Sequence, residues 1–325
     1  MLGNVVNRHD LDRLWRLARR GQSGRALAKL RVHGAARVVE HWARIDPSLT
    51  QWWAIPAVVQ RWNRLMTGDP ALTFPRYVAE TYLLPRGALR GLSLGCGTGG
   101  NEVIWARTGA FGRLEGVDVS PRRIEAATAA AARAGLGEVL GFRTMDVSRV
   151  ADGGERFDVL LGLQSLHHFD HLAQTAGRLA ALLEPGGLLV VDEFVGPTRF
   201  QWTDGQLRAA DALLAELPPE RRRLPDGRVK QRVVRPSRLS MVLDDPSEAV
   251  DASSLLPAIR GAFDIVEERP YGGTVLHIAL SGIAHNFLDQ DLETLDLLDR
   301  CFDAEDRALP ELGHDFTALV ARART

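Results

Sequence analysis

Between Gly91 and Glu102 the chain reads Gly-Leu-Ser-Leu-Gly-Cys-Gly-Thr-Gly-Gly-Asn-Glu. Glycines at 95, 97 and 99 allow a sharp turn and let the backbone approach a ligand with no Cβ in between. A short apolar run, Leu92 to Leu94, precedes them, and a helical pattern through Val103, Ile104 and Trp105 follows. A helix start presents N–H groups without intrahelical partners. Strand, glycine turn and helix together predict a nucleotide-cofactor site at the carboxyl end of a parallel sheet.

Other reactive side chains follow at the ends of predicted strands. Asp118 closes the next strand, and a carboxylate can accept hydrogen bonds from both hydroxyls of a ribose. Asp146 closes a third strand, Gln164, His167 and His168 follow a fourth, and Asp192 and Glu193 end a fifth. A general base for proton removal is expected among His168, Glu193 and His167. In an extended segment the two adjacent imidazoles would point to opposite sides, so only one is expected to face the site. By ligand type His167, His168, Asp192 and Glu193 suit a metal ion, but their spacing is undiagnostic and no metal is assigned. Cys96 has no histidine at a pairing distance, so it reads as a small turn residue rather than a nucleophile. Tyr271 and His277, beside Gly272 and Gly273, are candidate substrate contacts from a late strand.

These residues need a scaffold to bring them together. From residue 91 onward apolar runs alternate with helical patterns, the signature of a parallel sheet. Strands are expected near 92–94, 116–119, 140–145, 158–163, 188–191, 263–267 and 316–321. Pro121 suits the first position of the helix after Asp118, with Ser120 as its cap and Gly135 as its stop. Residues 197–260 interrupt the rhythm with a helix around Leu207–Leu217 and a proline- and arginine-rich run, read as an insertion acting as a substrate lid. Further helices are expected over 274–286 and 291–307. Before the sheet, helical patterns over 8–45 and 58–65 carry no strand periodicity, and the Trp52–Trp53 pair reads as core. The expected organisation is therefore a helical extension or cap over 1–88 and a cofactor-binding domain over 89–325.

The chain's totals exclude several classes. At 325 residues, with 45% hydrophobic content and a formal charge of −1, it can bury a full core and has no global pull toward nucleic acid. Two cysteines form no disulfide framework, and no apolar run is long enough for a membrane span or a signal peptide, so a cytoplasmic location is expected. Arginine-rich stretches over 1–45 and 221–235 read mainly as solvated faces, with an anionic partner, such as a phosphorylated substrate or a membrane surface, as the sharper alternative. The N-terminal helices also offer a surface for homo-oligomer formation.

The spacing Gly95, Gly97, Gly100 with Asp118 beyond satisfies the dinucleotide fingerprint, so a nicotinamide-dependent oxidoreductase is one reading. The fuller pattern resembles class I S-adenosylmethionine-dependent methyltransferases. It comprises Leu-Gly-Cys-Gly-Thr-Gly with an acid after the next strand, Asp146, Leu166-His167-His168-Phe169, and Leu183-Glu184-Pro185-Gly186-Gly187. The resemblance implies a Rossmann-like α/β fold of about seven strands, the last antiparallel, with helices on both faces and a sixth–seventh strand pairing like a hairpin. It implies S-adenosylmethionine as cofactor, with S-adenosylhomocysteine left as product. The backbone of Gly95, Cys96, Gly97 and Gly99 would lie along its amino-acid part. Asp118 and Val119 would lie at the ribose, Asp146 and Val147 (or Met145) at the adenine, and Gln164 at the methionine end. Ser93 departs from the pattern: many relatives carry an acid there, and the cofactor's amino group would need another acceptor. The expected activity is O- or N-methylation of a small molecule such as a sugar or natural product. A catalytically silent cofactor-binding subunit is the remaining alternative.

Overall fold

The computed structural model describes residues 50–147, 154–245 and 247–324. The helical reading of 8–45, and with it most of the proposed N-terminal extension, lies outside the described residues. The described chain enters through a helical segment. Pro56 opens helix α1 (Pro56–Thr67) and Gly68, at φ 87°, closes it in the left-handed conformation that glycine adopts without strain. A short helix α2 (Phe74–Val78) follows, then tight turns to Arg86.

Beyond it the alternation seen in the sequence appears as β1 (Leu89–Leu94), α3 (Gly100–Ala106), β2 (Phe111–Asp118), α4 (Pro121–Arg133), β3 (Leu140–Thr144) and β4 (Phe157–Leu163). Next come α5 (Leu172–Ala181) and β5 (Leu183–Phe194). The sheet has seven strands in the order β3-β2-β1-β4-β5-β7-β6. All neighbours from β3 to β5 are parallel, while β7 (Phe316–Ala323) runs antiparallel to both β5 and β6 (Phe263–Gly272). The expected β6–β7 pairing is present, but a helical excursion rather than a tight turn joins the two strands.

Side chains alternate faces along each central strand. Val159, Leu161, Leu188 and Val190 join the apolar cluster on one side of the sheet, and Leu160, Leu189 and Val191 join the cluster on the other. Burial on both sides explains the near-continuous apolar runs of β4 and β5.

Three expectations need correction. β5 begins at Leu183, so Glu184-Pro185-Gly186-Gly187 lies within the strand, where the β4–β5 register shifts, rather than before it. The helix expected over 274–286 is α9 (Leu276–Leu280) and a separate 3-10 turn at Ala284–Phe287, divided at Gly282 with φ 78°. Trp52 is core, but Trp53 is half exposed.

Residues 197–260 are largely helical. A capping box between Thr203 and Gln206 starts α6 (Asp204–Glu216), and α7 (Arg238–Asp244) and α8 (Leu255–Ala262) follow. α6 packs on α9 and on α10 (Leu292–Leu312), while α8 packs on α5.

Candidate functional site

The glycine turn leaves β1 with Gly95 at φ 68° and Gly99 at φ 82°. A Cβ on Gly95 would stand 2.8 Å from that of Ser165, and one on Gly99 would stand 2.9 Å from that of Ala127 on α4. The turn is therefore wedged between the loop after β4 and the helix after β2. Asp118, buried at the tip of β2, fastens it: Oδ2 accepts from the N–H of Gly97 at 3.0 Å and Oδ1 from that of Ser120 at 2.8 Å. Arg123 lies 3.7 Å from the same carboxylate. The Ser120 side chain makes no cap bond, contrary to expectation, while its backbone N–H donates to Asp118. Cys96 is buried, and burial, with Glu102 and Asp118 nearby, pushes its thiol up, away from a nucleophilic thiolate. Val119 and Val147 are half-buried and Asp146 is exposed.

Ser93 donates from its hydroxyl to Glu102 Oε1 at 2.6 Å. Glu102, in the first turn of α3, is 1% exposed, and its Oε2 is buried with no hydrogen-bond partner. An orphaned carboxylate oxygen beneath a glycine turn is costly unless a cation or donor meets it. A carboxylate thus stands beside Ser93 after all, brought there by the first turn of α3.

The second half of the site lies where β4 and β5 end. Glu193 is fully buried and clamped: its Oε1 accepts from the N–H groups of Ser165 and Leu166, and its Oε2 meets His167 Nδ1 at 2.6 Å. Residues 166–168 form a 3-10 turn, not an extended segment, so the rings of His167 and His168 stand 4.2 Å apart on one side. The expectation that only one faces the site is corrected by that turn. Burial works against a charged His167, but Glu193 and Glu248 outweigh it and the net direction is up. Glu248, from the 197–260 segment, stands 3.7 Å from His167 Nε2.

Gln164, exposed and at φ 54°, adopts a backbone conformation that non-glycine residues rarely hold except where surroundings impose it. Its amide donates to Asp192 Oδ1 at 3.1 Å and to Tyr271 Oη at 3.2 Å, and the Tyr271 hydroxyl itself donates to Asp192. Burial raises Asp192 to about 6. His277 sits deeper, ringed by Trp52, Phe194, Phe200, Trp202 and Phe316 with centroids 5.5–5.9 Å away, and burial lowers it to about 4. Tyr271 and His277 therefore reach the same end of the sheet, Tyr271 by holding Asp192 and His277 as part of an aromatic wall.

A family profile described as a methyltransferase domain matches residues 92–191, a stretch that includes the glycine turn, Asp118, the histidine pair and most of β5. Residues 92–191 form a methyltransferase domain. That match covers the segments around His167 and Gly186 that a dinucleotide reading left unexplained.

Around this methyltransferase domain, the chain is 37% identical over 158 residues to a ubiquinone biosynthesis O-methyltransferase of Cereibacter sphaeroides, covering 46% of this chain and 60% of that one. It is 29% identical over 161 residues to the protein of the same name in Brucella ovis, covering 48% and 62%. The chain thus spans about three fifths of the length of the curated relatives it matches. An S-adenosylmethionine-dependent methyltransferase from Mesorhizobium loti overlays with a TM-score of 0.43 at 20% identity, covering 76% of this chain and 97% of that one.

Sequence spacing gives no sign of Glu102 or Glu248. The first is visible only as the partner of a departure at Ser93, and the second lies in a segment with no periodicity to place it. In the 221–235 basic run, Arg221 bonds the Asn286 carbonyl, Arg228 pairs with Asp226, and Arg235 bonds the Trp202 carbonyl and Asp204. Lys230 donates to the carbonyls of Ile278, Ala279 and Ser281 at 2.8–3.0 Å. Arg221, Lys230 and Arg235 are half-buried anchors of the fold rather than the solvated face expected, and the 1–45 stretch lies outside the described residues. No helix among the described residues is long and apolar enough to cross a membrane.

Proposed function

We propose that this protein is an S-adenosylmethionine-dependent enzyme that methylates a hydroxyl oxygen of a small molecule. The observation that carries the reading is the Glu193–His167 pair, held at 2.6 Å by a carboxylate that two backbone amides lock in place, beside Gln164. The names of the matched relatives, both O-methyltransferases, point the same way.

The residues present fit the cofactor. The backbone of Gly95, Cys96, Gly97 and Gly99 would run along the cofactor's amino-acid part, Asp118 and Val119 would meet the ribose, and Asp146 and Val147 the adenine. Gln164 stands at the methionine end, and Glu102 offers an unmatched buried oxygen to a cationic group. When bound, S-adenosylmethionine supplies an electrophilic methyl on a sulfonium sulfur. Glu193 fixes the ring and tautomer of His167 so that Nε2 is aimed away from the carboxylate and can take the proton of the acceptor hydroxyl. Gln164, Asp192 and Tyr271 keep the floor between the two halves rigid, and orientation of this kind supplies much of the rate when reactants are held at attack distance. Residues 197–260 serve as the acceptor lid, and α1 and α2 as a cap.

The reading is tested by titrating the chain with S-adenosylhomocysteine and following label transfer from methyl-labelled cofactor to phenols and alcohols. His167→Ala is expected to lower kcat by about 10²–10⁴ while leaving product-cofactor affinity intact. Saturation by a nicotinamide dinucleotide with no response to S-adenosylhomocysteine would sink it.

A further inference from the structure

His167, His168 and Glu248 each direct a ligand atom to one place, with all three atoms within 4.8 Å of one another. Sequence alone had grouped the histidines with Asp192 and Glu193; the structure replaces those two acids. Asp192 is engaged by Gln164 and Tyr271, and Glu193 sits behind His167 on Nδ1. That rearrangement is what a metal centre requires: a ligating imidazole commonly has its other nitrogen held by a carboxylate, which sets its tautomer and orientation. The neighbouring ring is held too. Ser247 Oγ lies 3.3 Å from His168 Nδ1 and is itself bonded to Asp245 Oδ1 at 2.7 Å. The third ligand is positioned through its backbone, because the Arg199 guanidinium donates to the Glu248 carbonyl at 3.2 Å and Val250 N–H donates to the His167 carbonyl at 3.2 Å.

The geometry points to a divalent transition-metal site formed by His167, His168 and Glu248, with zinc as the ion it suits best. Two imidazoles and one carboxylate favour Zn²⁺ and its first-row neighbours over Mg²⁺ or Ca²⁺, which prefer all-oxygen surroundings. Three protein ligands leave a tetrahedral ion one position short, the pattern of reactive rather than purely structural zinc. The class of ligand completing it is an oxygen donor, either water or the acceptor's own hydroxyl. An ion there would assume the task given above to His167 Nε2, easing loss of the hydroxyl proton to solvent by stabilising the oxygen's negative charge. Only that role rests on the methyl-transfer reading; occupancy of the site does not. The site also ties the 197–260 segment to the end of β4, since its ligands come from both.

The test uses the full chain, stripped with a chelator and titrated with ZnCl₂ by calorimetry, and in parallel with CoCl₂ by visible absorption. One ion per chain is expected, with the intense visible band of tetrahedral cobalt. His168→Asn and Glu248→Gln should each weaken uptake at least tenfold and abolish the band. Glu193→Gln, behind the ligand, should weaken uptake by about 10–100-fold. Variants are compared only where their circular dichroism and melting temperature match the parent's, which certifies the fold. Absence of saturable uptake, or uptake that His168→Asn and Glu248→Gln leave unchanged, overturns the site. Wild-type chain that takes up S-adenosylhomocysteine but no metal sinks this inference alone, whereas zinc uptake without S-adenosylhomocysteine binding sinks the cofactor reading alone.

Discussion

Glu102 is almost wholly buried, and that burial raises its carboxyl to about 7 despite the hydrogen bond from Ser93, which lowers it. With the folded value above the unfolded one, the native chain holds a proton that the unfolded chain has released between roughly pH 4.5 and 7. The stability this confers is present at low pH and is lost as pH rises through 7. Glu102→Gln should therefore match the parent near pH 4.5 and exceed it at pH 8, by up to about 3 kcal/mol, read as a shift in urea midpoint. The same change should weaken binding of S-adenosylmethionine and of S-adenosylhomocysteine by similar factors, because the amino group that Glu102 would receive is present in both. Unchanged affinity for both would show that the carboxylate does not address the amino group. Such a trade between apo stability and ligand affinity is common where a buried group waits for its partner.

At the scale of elements, the glycine turn and α4 form one packed unit. Gly99→Ala must hold φ 82° and bring its methyl to 2.9 Å from Ala127 Cβ and 3.0 Å from Ala127 Cα. A loss of about 1–3 kcal/mol is expected, and Ala127→Gly in the same chain should recover part of it. The 197–260 segment has its own anchor in Lys230, whose ammonium satisfies carbonyls at and just beyond the end of α9. Lys230→Met should speed limited proteolysis within 218–238 while leaving the cofactor end intact.

The elements themselves were largely legible in the sequence. Strands announced themselves as apolar runs ending in glycine or an acid, and Pro56, Pro121, Gly68 and Gly135 marked helix limits because proline and glycine act through local backbone geometry. Side-chain convergence across long separations was not legible. The turn that brings His167 and His168 to one side depends on Glu193 collecting two amides, a contact 26–28 residues away. Glu248 arrives from a segment whose path is set by Arg199 and Val250 rather than by any repeating pattern. Trp53 shows the same limit, since adjacent residues on a helical turn face different directions and composition cannot assign the inward one.

Across the whole molecule the proposed site divides into a half on the tips of β1 and β2, assigned to the cofactor, and a half on the tips of β4 and β5, assigned to the acceptor, joined where Ser165 meets the glycine turn. Its hydroxyl donates to the Leu94 carbonyl at 2.5 Å and its N–H donates to Glu193. Asp118→Ala should lower S-adenosylhomocysteine affinity at least tenfold, about 1.4 kcal/mol or more. In a His167→Ala background the loss should be the same to within about 0.5 kcal/mol. Clear coupling between the two in calorimetry would mean that the halves move together rather than standing on a rigid frame.

Trp52 and Trp202 belong to the aromatic wall around His277, and Trp62 packs on Trp52 and on Tyr271, the residue that holds Asp192 against Gln164. Indole emission responds to the polarity and quenching groups of its immediate surroundings. A molecule settling at this end of the sheet will therefore register in the chain's own ultraviolet fluorescence, giving an unlabelled optical signal by which collections of candidate acceptors can be screened before any chemistry is followed.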